Sequence, residues 1–218
     1  MAQKTILITG YEPFGGDTFN PSLALAEKLD GENYKAYEFN CVKIPVNRHL
    51  CIPTIERAIE KYQPEIVICT GLAYGRAGIS IERIAINVAD FPWPDNEGYL
   101  ALNEAIDEKG PAAYWSTLPI RAIMNNIREA GVPAYISNSA GTYCCNLLMY
   151  GVLNYISGHN LNIKAGMMHV PYTPEMAIEK DFTMPTMSLE NMVKAVRTAA
   201  IAAIETDKDD KVICGFAQ

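Results

Sequence analysis

An α/β fold, with a mostly parallel twisted sheet covered by helices on both faces, is what the sequence predicts. Three observations point there. Residues 5–9 (TILIT) and 66–70 (IVICT) are continuous β-branched runs, the pattern of strands buried on both faces. Stretches of helical period, 10 to 16 residues long, separate such runs along the chain. The 218 residues contain no repeat, no low-complexity stretch and no linker, so a single domain spanning 1–218 is expected. At this length a fold buries roughly 70% of the surface its unfolded chain exposes, enough for one sizeable core.

The elements follow in order. The first strand, 5–9, is bounded by Gly10, and residues 10–19 form a loop rich in glycine and aromatics. Asn20 is an N-cap type and Pro21 fits the first helical position, which predicts a helix to about Leu29. A strand is expected over about 34–44, then a helix capped near Asn47 and running to Tyr62, then the strand 66–70. In residues 79–88 the apolar positions 79 and 81 alternate, and the phase then slips to 84, 86 and 88. One extra residue at Glu82–Arg83 reads as a β-bulge, and it leaves the direction of Glu82 open. Residues 91–111 form the longest irregular piece. A helix over 119–130, a strand at 134–137 and a helix from about Tyr143 to Ile156 come next. A strand at 165–170 and an amphipathic helix over 188–204 complete the pattern.

Composition narrows the function. Hydrophobic residues make up 49% and charged residues 20%, a globular balance that excludes intrinsic disorder. A net charge of −7 argues against nucleic acid or anionic lipid as a partner. No apolar run approaches the roughly 20 residues needed to cross a bilayer. The opening MAQKTILITG lacks the features of a secretory signal, so a cytoplasmic location is expected. Six cysteines (41, 51, 69, 144, 145 and 214) form no CxxC, and the histidines at 49, 159 and 169 are scattered, which argues against a structural zinc site. Gly10–Gly16 and Gly71–Gly78 match neither GxGxxG nor a P-loop, so no dinucleotide or NTP site is expected.

Three residues have the chemistry of a reactive centre. Cys145 stands where a small-residue turn passes into a helix, whose positive end and free N–H groups favour a thiolate and an oxyanion. Packing of two adjacent cysteines in a core is the plainer explanation of its position. His169 lies at the carboxyl end of a predicted strand, where open α/β sheets place their ligands, and is followed by Pro171 and Pro174. A hydrogen-bonded structural histidine is the plainer alternative. Glu82 is a carboxylate inside an apolar strand, costly to bury unless it is paired with His169 or with a structural arginine. Cys, His and a third polar group form the constellation of nucleophilic acyl transfer. Tyr11, Phe14, Trp93 and Tyr143 lie in or beside loops at strand ends, where they can line an apolar pocket or simply pack locally.

Over essentially its whole length the chain resembles the pyroglutamyl peptidase I (pyrrolidone-carboxylate peptidase) family. The resemblance is carried by TGYEPFGG and NPS between residues 9 and 22, ERIAINVAD at 82–90 and PDNEG at 94–98. GPAAYWSTLPI at 110–120, SNSAGTYCCN at 137–146 and HVPYTPE at 169–175 complete it. The resemblance implies an α/β/α sandwich and removal of N-terminal pyroglutamyl residues from peptides, with no metal or cofactor. It implies Cys145, not Cys144, as nucleophile, His169 as acid and base, and Glu82 as the group that orients the imidazole. It further implies a homo-oligomer, often a tetramer, and a pocket for the neutral lactam that includes Tyr11, Phe14 and Tyr143.

Three positions depart from the family pattern: Leu72 where many members carry Gln, Pro92 where many carry Arg, and Leu147 where His is frequent in bacteria. Leu72 and Pro92 bear on the pocket and the oxyanion site. They motivate a second reading, a cysteine hydrolase of the same fold acting on another N-acyl or lactam substrate. A non-catalytic binding protein and a nucleoside-phosphorylase-like transferase are further alternatives. The first is opposed by the intact Cys145, His169 and Glu82, the second by the lack of a basic cluster for phosphate.

Overall fold

A computed structural model describes residues 3–181 and 183–209. Strands β1 (Lys4–Tyr11), β3 (Tyr37–Ile44), β4 (Ile66–Leu72) and β9 (Lys164–Val170) form the parallel centre of a seven-stranded sheet of order β2-β3-β1-β4-β9-β5-β8. The short β2 (Asn33–Tyr34) pairs antiparallel with β3 at one edge. At the other, β5 (Ile79–Glu82) runs against β9 and parallel to β8 (Ala134–Ser137).

The centre strands are apolar on both faces because both are covered. Ile6, Ile8, Ile66, Ile68, Met168 and Val170 pack under helices α1 (Pro21–Leu29), α3 (Ile120–Glu129) and α6 (Leu189–Glu205). Their alternating neighbours Leu7, Val67, Cys69, Ala165 and Met167 pack under α2 (Cys51–Tyr62) and α4 (Cys144–Gly158). The period of two thus feeds two separate cores. Asn20 caps α1 as expected, its Oδ1 accepting from Ser22 N at 3.0 Å, and Ser188 caps α6 through Asn191 N. Gly10 lets β1 and α1 meet: a Cβ there would lie 2.4 Å from Leu23 Cα and from the Ser22 carbonyl.

Some elements differ from the sequence reading. The phase slip after Ile81 is no bulge. β5 ends at Glu82, and β6 (Ile84–Ile86) leaves the main sheet to pair antiparallel with β7 (Ala113–Trp115). Arg83 is the junction, its N–H donating to the Ser137 carbonyl and its carbonyl accepting from Ser116. Sequence alternation cannot distinguish an extra residue from a change of partner sheet. Helix α2 begins at Cys51 and not at Asn47, because the Asn47 side chain accepts from His49 N and Leu50 N and closes a turn first. His49 therefore sits in that turn, edge-on to Tyr99, and not on a helix face. Strand 34–44 is broken at Lys35, whose φ of 54° makes the tight β2–β3 turn. A short helix, α5 (Pro174–Glu179), capped by Thr173, stands where the sequence analysis noted only Pro171 and Pro174. Cys214 lies outside the described residues.

Candidate active site

The site is assembled from four segments. Strand β9 brings His169 to its penultimate position, beside Gly71 of β4 and Ser80 of β5. Strand β5 contributes Glu82, whose side chain is fully buried. The imidazole Nδ1–H donates to Glu82 Oε1 at 2.7 Å, which leaves Nε2 for the opposite side. There stands the Cys145 thiol, beside the imidazole. Gly71 is the floor beneath both: a Cβ at that position would lie 2.6 Å from Cys145 Sγ and 3.6 Å from His169 Nε2.

Helix α4 aims the thiol. Its N-cap, Tyr143, is extended and offers no side-chain cap, so the first-turn N–H groups are left for an incoming oxygen. The first turn is anchored through Asn146. Its Nδ2 donates to the carbonyls of Ile86 and Val88, each at 2.9 Å, and its Oδ1 accepts from Ile86 N at 2.9 Å. Tyr11 adds a second anchor, its hydroxyl donating to the Cys144 carbonyl at 2.6 Å.

The two adjacent cysteines have different surroundings. Cys144 is buried, and burial pushes its thiol far above the ordinary range. Cys145 is half-buried and faces the cavity. Burial lowers the proton affinity of His169, but the neighbouring Cys145 and the Glu82 carboxylate outweigh that and raise the imidazole to about 9. Burial likewise opposes the Glu82 charge, yet His169 and Arg76 hold that carboxyl below its usual value.

A cavity of about 840 Å³ opens over these groups. All five pocket residues named from the sequence, Tyr11, Phe14, Leu72, Trp93 and Tyr143, line it. Tyr143 is the hub of an aromatic wall, with its ring centroid 4.6 Å from Phe91, 5.8 Å from Trp93 and 6.3 Å from Phe14. Both tyrosine hydroxyls are engaged within the protein, Tyr11 with Cys144 and Tyr143 with the Pro94 carbonyl. The rings therefore offer mainly carbon to a ligand. Pro92 also lines the cavity, whereas Leu147 is buried in the core away from it. On another side Asp17 and Lys180 form an ion pair at 2.7 Å. Among the described residues no group of three or more His, Cys, Asp or Glu is placed to hold a metal ion. None of the described helices is long and apolar enough to cross a membrane.

Three contributors escaped the sequence reading. Arg76, from the loop after β4, places Nη1 2.6 Å from Glu82 Oε1. It lay in a glycine-rich stretch tested only for phosphate-loop patterns. Glu82 thus has both partners that sequence left as alternatives, a histidine and an arginine, while Arg83 turns aside to Asn138. Asn146 and Gly71 were missed because their work is done on segments far away in the chain.

An α/β sandwich with a thiol, an imidazole and a buried carboxylate around one apolar cavity has the form of a thiol hydrolase. The pyroglutamyl peptidase family model matches residues 4–206. The pyrrolidone-carboxylate peptidase of Bacillus subtilis is 43% identical over 209 residues, 96% of each chain. That of Aliivibrio fischeri is 44% identical over 94% of this chain and 95% of its own. Among solved structures, the pyroglutamyl peptidase I of Bacillus amyloliquefaciens superposes with a TM-score of 0.94 at 39% identity, covering 97% of this chain and 100% of that one. The pyrrolidone carboxyl peptidase of Thermococcus litoralis gives 0.93 at 41%, covering 97% and 99%. The chain belongs to the pyroglutamyl peptidase family and is a hydrolase of the pyroglutamyl-peptidase I type.

Proposed function

We propose that this protein removes N-terminal pyroglutamyl residues from peptides through a covalent Cys145 acyl-enzyme, with His169 and Glu82 completing the triad. The observation that carries this reading is the Glu82–His169 hydrogen bond with a half-buried Cys145 beside the imidazole, over Gly71, at an aromatic cavity.

The Cys145 thiolate attacks the exocyclic carbonyl carbon of the pyroglutamyl residue, and the carbonyl oxygen takes up the charge. First-turn N–H groups of α4 stabilise that oxyanion, in place of the arginine that Pro92 replaces. The amide C–N bond then breaks as His169 Nε2 gives its proton to the departing amine. The imidazole, now neutral, takes a proton from water, whose oxygen attacks the thioester and releases pyroglutamate. Glu82 keeps the Nδ1–H in place throughout. A neutral lactam with no free amine suits an apolar aromatic wall that presents no charge of its own. The family resemblance supports a tetramer as the working form, and the seven-stranded sheet covered on both faces supports one catalytic domain.

The test is hydrolysis of a pyroglutamyl fluorogenic amide with reductant present, comparing wild type, Cys145→Ala and Cys144→Ala. Turnover abolished by Cys145→Ala and kept by Cys144→Ala is expected. A second reading, hydrolysis of a different N-acyl or lactam group, is favoured by Leu72 and Pro92, which put two apolar side chains on the cavity wall. No turnover in a wild type whose Cys145 still alkylates rapidly would select it. Inert Cys145 would leave only a binding role.

A further inference from the structure

Arg76 stands outside the reacting set yet shares an atom with it. Its Nη1 donates to Glu82 Oε1 at 2.6 Å, the same oxygen that accepts the His169 Nδ1–H at 2.7 Å. The same Nη1 also meets the Ser80 hydroxyl, and Nη2 reaches the Ser139 carbonyl at 3.4 Å. One guanidinium thus bridges β5, which carries the acid, and the turn that leads into α4, which carries the thiol.

We infer that Arg76 is a positioning residue that keeps Glu82 ionised and fixed on His169, and so sets the pH range in which the Cys145–His169 pair is armed. The inference rests on the proposed roles of Cys145, His169 and Glu82. Its physical basis is charge balance in a dry place. A thiolate, an imidazolium and a carboxylate together leave one negative charge uncompensated, and Glu82 has no exposed surface through which water could offset it. The guanidinium supplies the missing positive charge. Without it, the carboxyl would hold its proton to a higher pH, and over that acid range the imidazole would lose its charged acceptor.

The other groups facing this centre do not duplicate the role. Strand β9 offers His169 itself, β8 offers the neutral Ser137 hydroxyl, and α4 offers Cys145 beyond the imidazole. Arg83, next in sequence, is turned to Asn138 Oδ1 at 2.7 Å. The sign of the effect follows directly. Removing a fixed positive charge raises the proton affinity of every titrating group nearby, so both limbs of the pH profile move to higher pH. The Arg76 side chain is only 25% exposed, so solvent screens its charge incompletely and the displacement is large enough to read in a pH profile.

The experiment compares full-length wild type, Arg76→Gln and Arg76→Lys across both limbs. The readouts are kcat/KM on the pyroglutamyl fluorogenic amide and the rate of Cys145 alkylation by iodoacetamide. In Arg76→Gln both limbs are expected to move up by about one pH unit, an approximately tenfold loss on the acid limb. Arg76→Lys keeps the charge, so its limbs stay near wild type even where altered geometry lowers the rate. A uniform loss in Arg76→Gln with unmoved limbs would mean that Arg76 is only scaffold, and an unchanged profile would overturn the inference outright. If Arg76→Gln does not fold, Arg76→Lys decides: limbs displaced upward despite the retained charge refute the proposal. If wild type does not cleave the amide but the alkylation limbs move as expected, the substrate reading fails and the role of Arg76 stands.

Discussion

Gly71→Ala isolates the geometry of the thiol in a single methyl group. The new Cβ would lie 2.6 Å from Cys145 Sγ, and ordinary contact begins near 3.4 Å, so the sulfur must withdraw by about 0.8 Å. The same methyl would also touch the imidazole, with His169 Cδ2 and Nε2 at 3.4 and 3.6 Å, so it presses on the space that both reacting groups share. A cysteine has one χ angle with staggered wells, so relief means a tilted helix start or a change of rotamer. Misplacement of a reacting atom by about 1 Å costs about 10²-fold in rate. The strand itself tolerates alanine, since Gly71 is not among the positions of positive φ, and a Gly→Ala change there restrains the unfolded chain. Steady-state kinetics on the pyroglutamyl amide should therefore show kcat/KM down by about 10²-fold, mostly in kcat. A thermal melt by circular dichroism should move by only a few degrees. Activity within a factor of about three of wild type would refute the placement of the sulfur over Gly71, and a collapse of the melt would show that the loss was one of folding.

Other outcomes follow from the same contacts. Tyr11→Phe removes the buried hydrogen bond to the Cys144 carbonyl, worth about 1 kcal/mol, and should lower Tm by about 2–4 °C; an unchanged melt would show that the contact contributes nothing. Leu72→Gln places an amide on the cavity wall. It should lower KM for a pyroglutamyl amide about fivefold or more, and an unchanged KM would mean that backbone groups already satisfy the lactam. His169 is raised to about 9 in the folded protein from an ordinary 6.5, so its proton stabilises the fold fully below pH 6.5. That contribution is lost as pH rises through 9. Denaturant midpoints should accordingly show the advantage of wild type over His169→Gln shrinking across this window, and a constant or growing difference would contradict the assignment.

What the sequence alone determined is whatever depends on neighbours a few residues apart. The buried runs at 5–9 and 66–70 and the Asn20–Pro21 helix start are local choices of backbone, and each appears where it was read. Cys145, His169 and Glu82 were legible as candidates because a helix start, a strand end and a charge in an apolar strand are local anomalies too. Tertiary structure alone decided how they meet. Glu82 could have turned to either face, and only the departure of β6 into a second sheet with β7 fixes β5 between β9 and β8 with its carboxylate inward. Arg76 could not be paired from spacing, because the loop that carries it must first be folded back over β5. Cys144 and Cys145 differ by one step around a helix. Which thiol is buried and which is left half-exposed is set by the contacts α4 makes with Tyr11, with Gly71 and, through its own Asn146, with the Ile86 and Val88 carbonyls, contacts that span most of the chain.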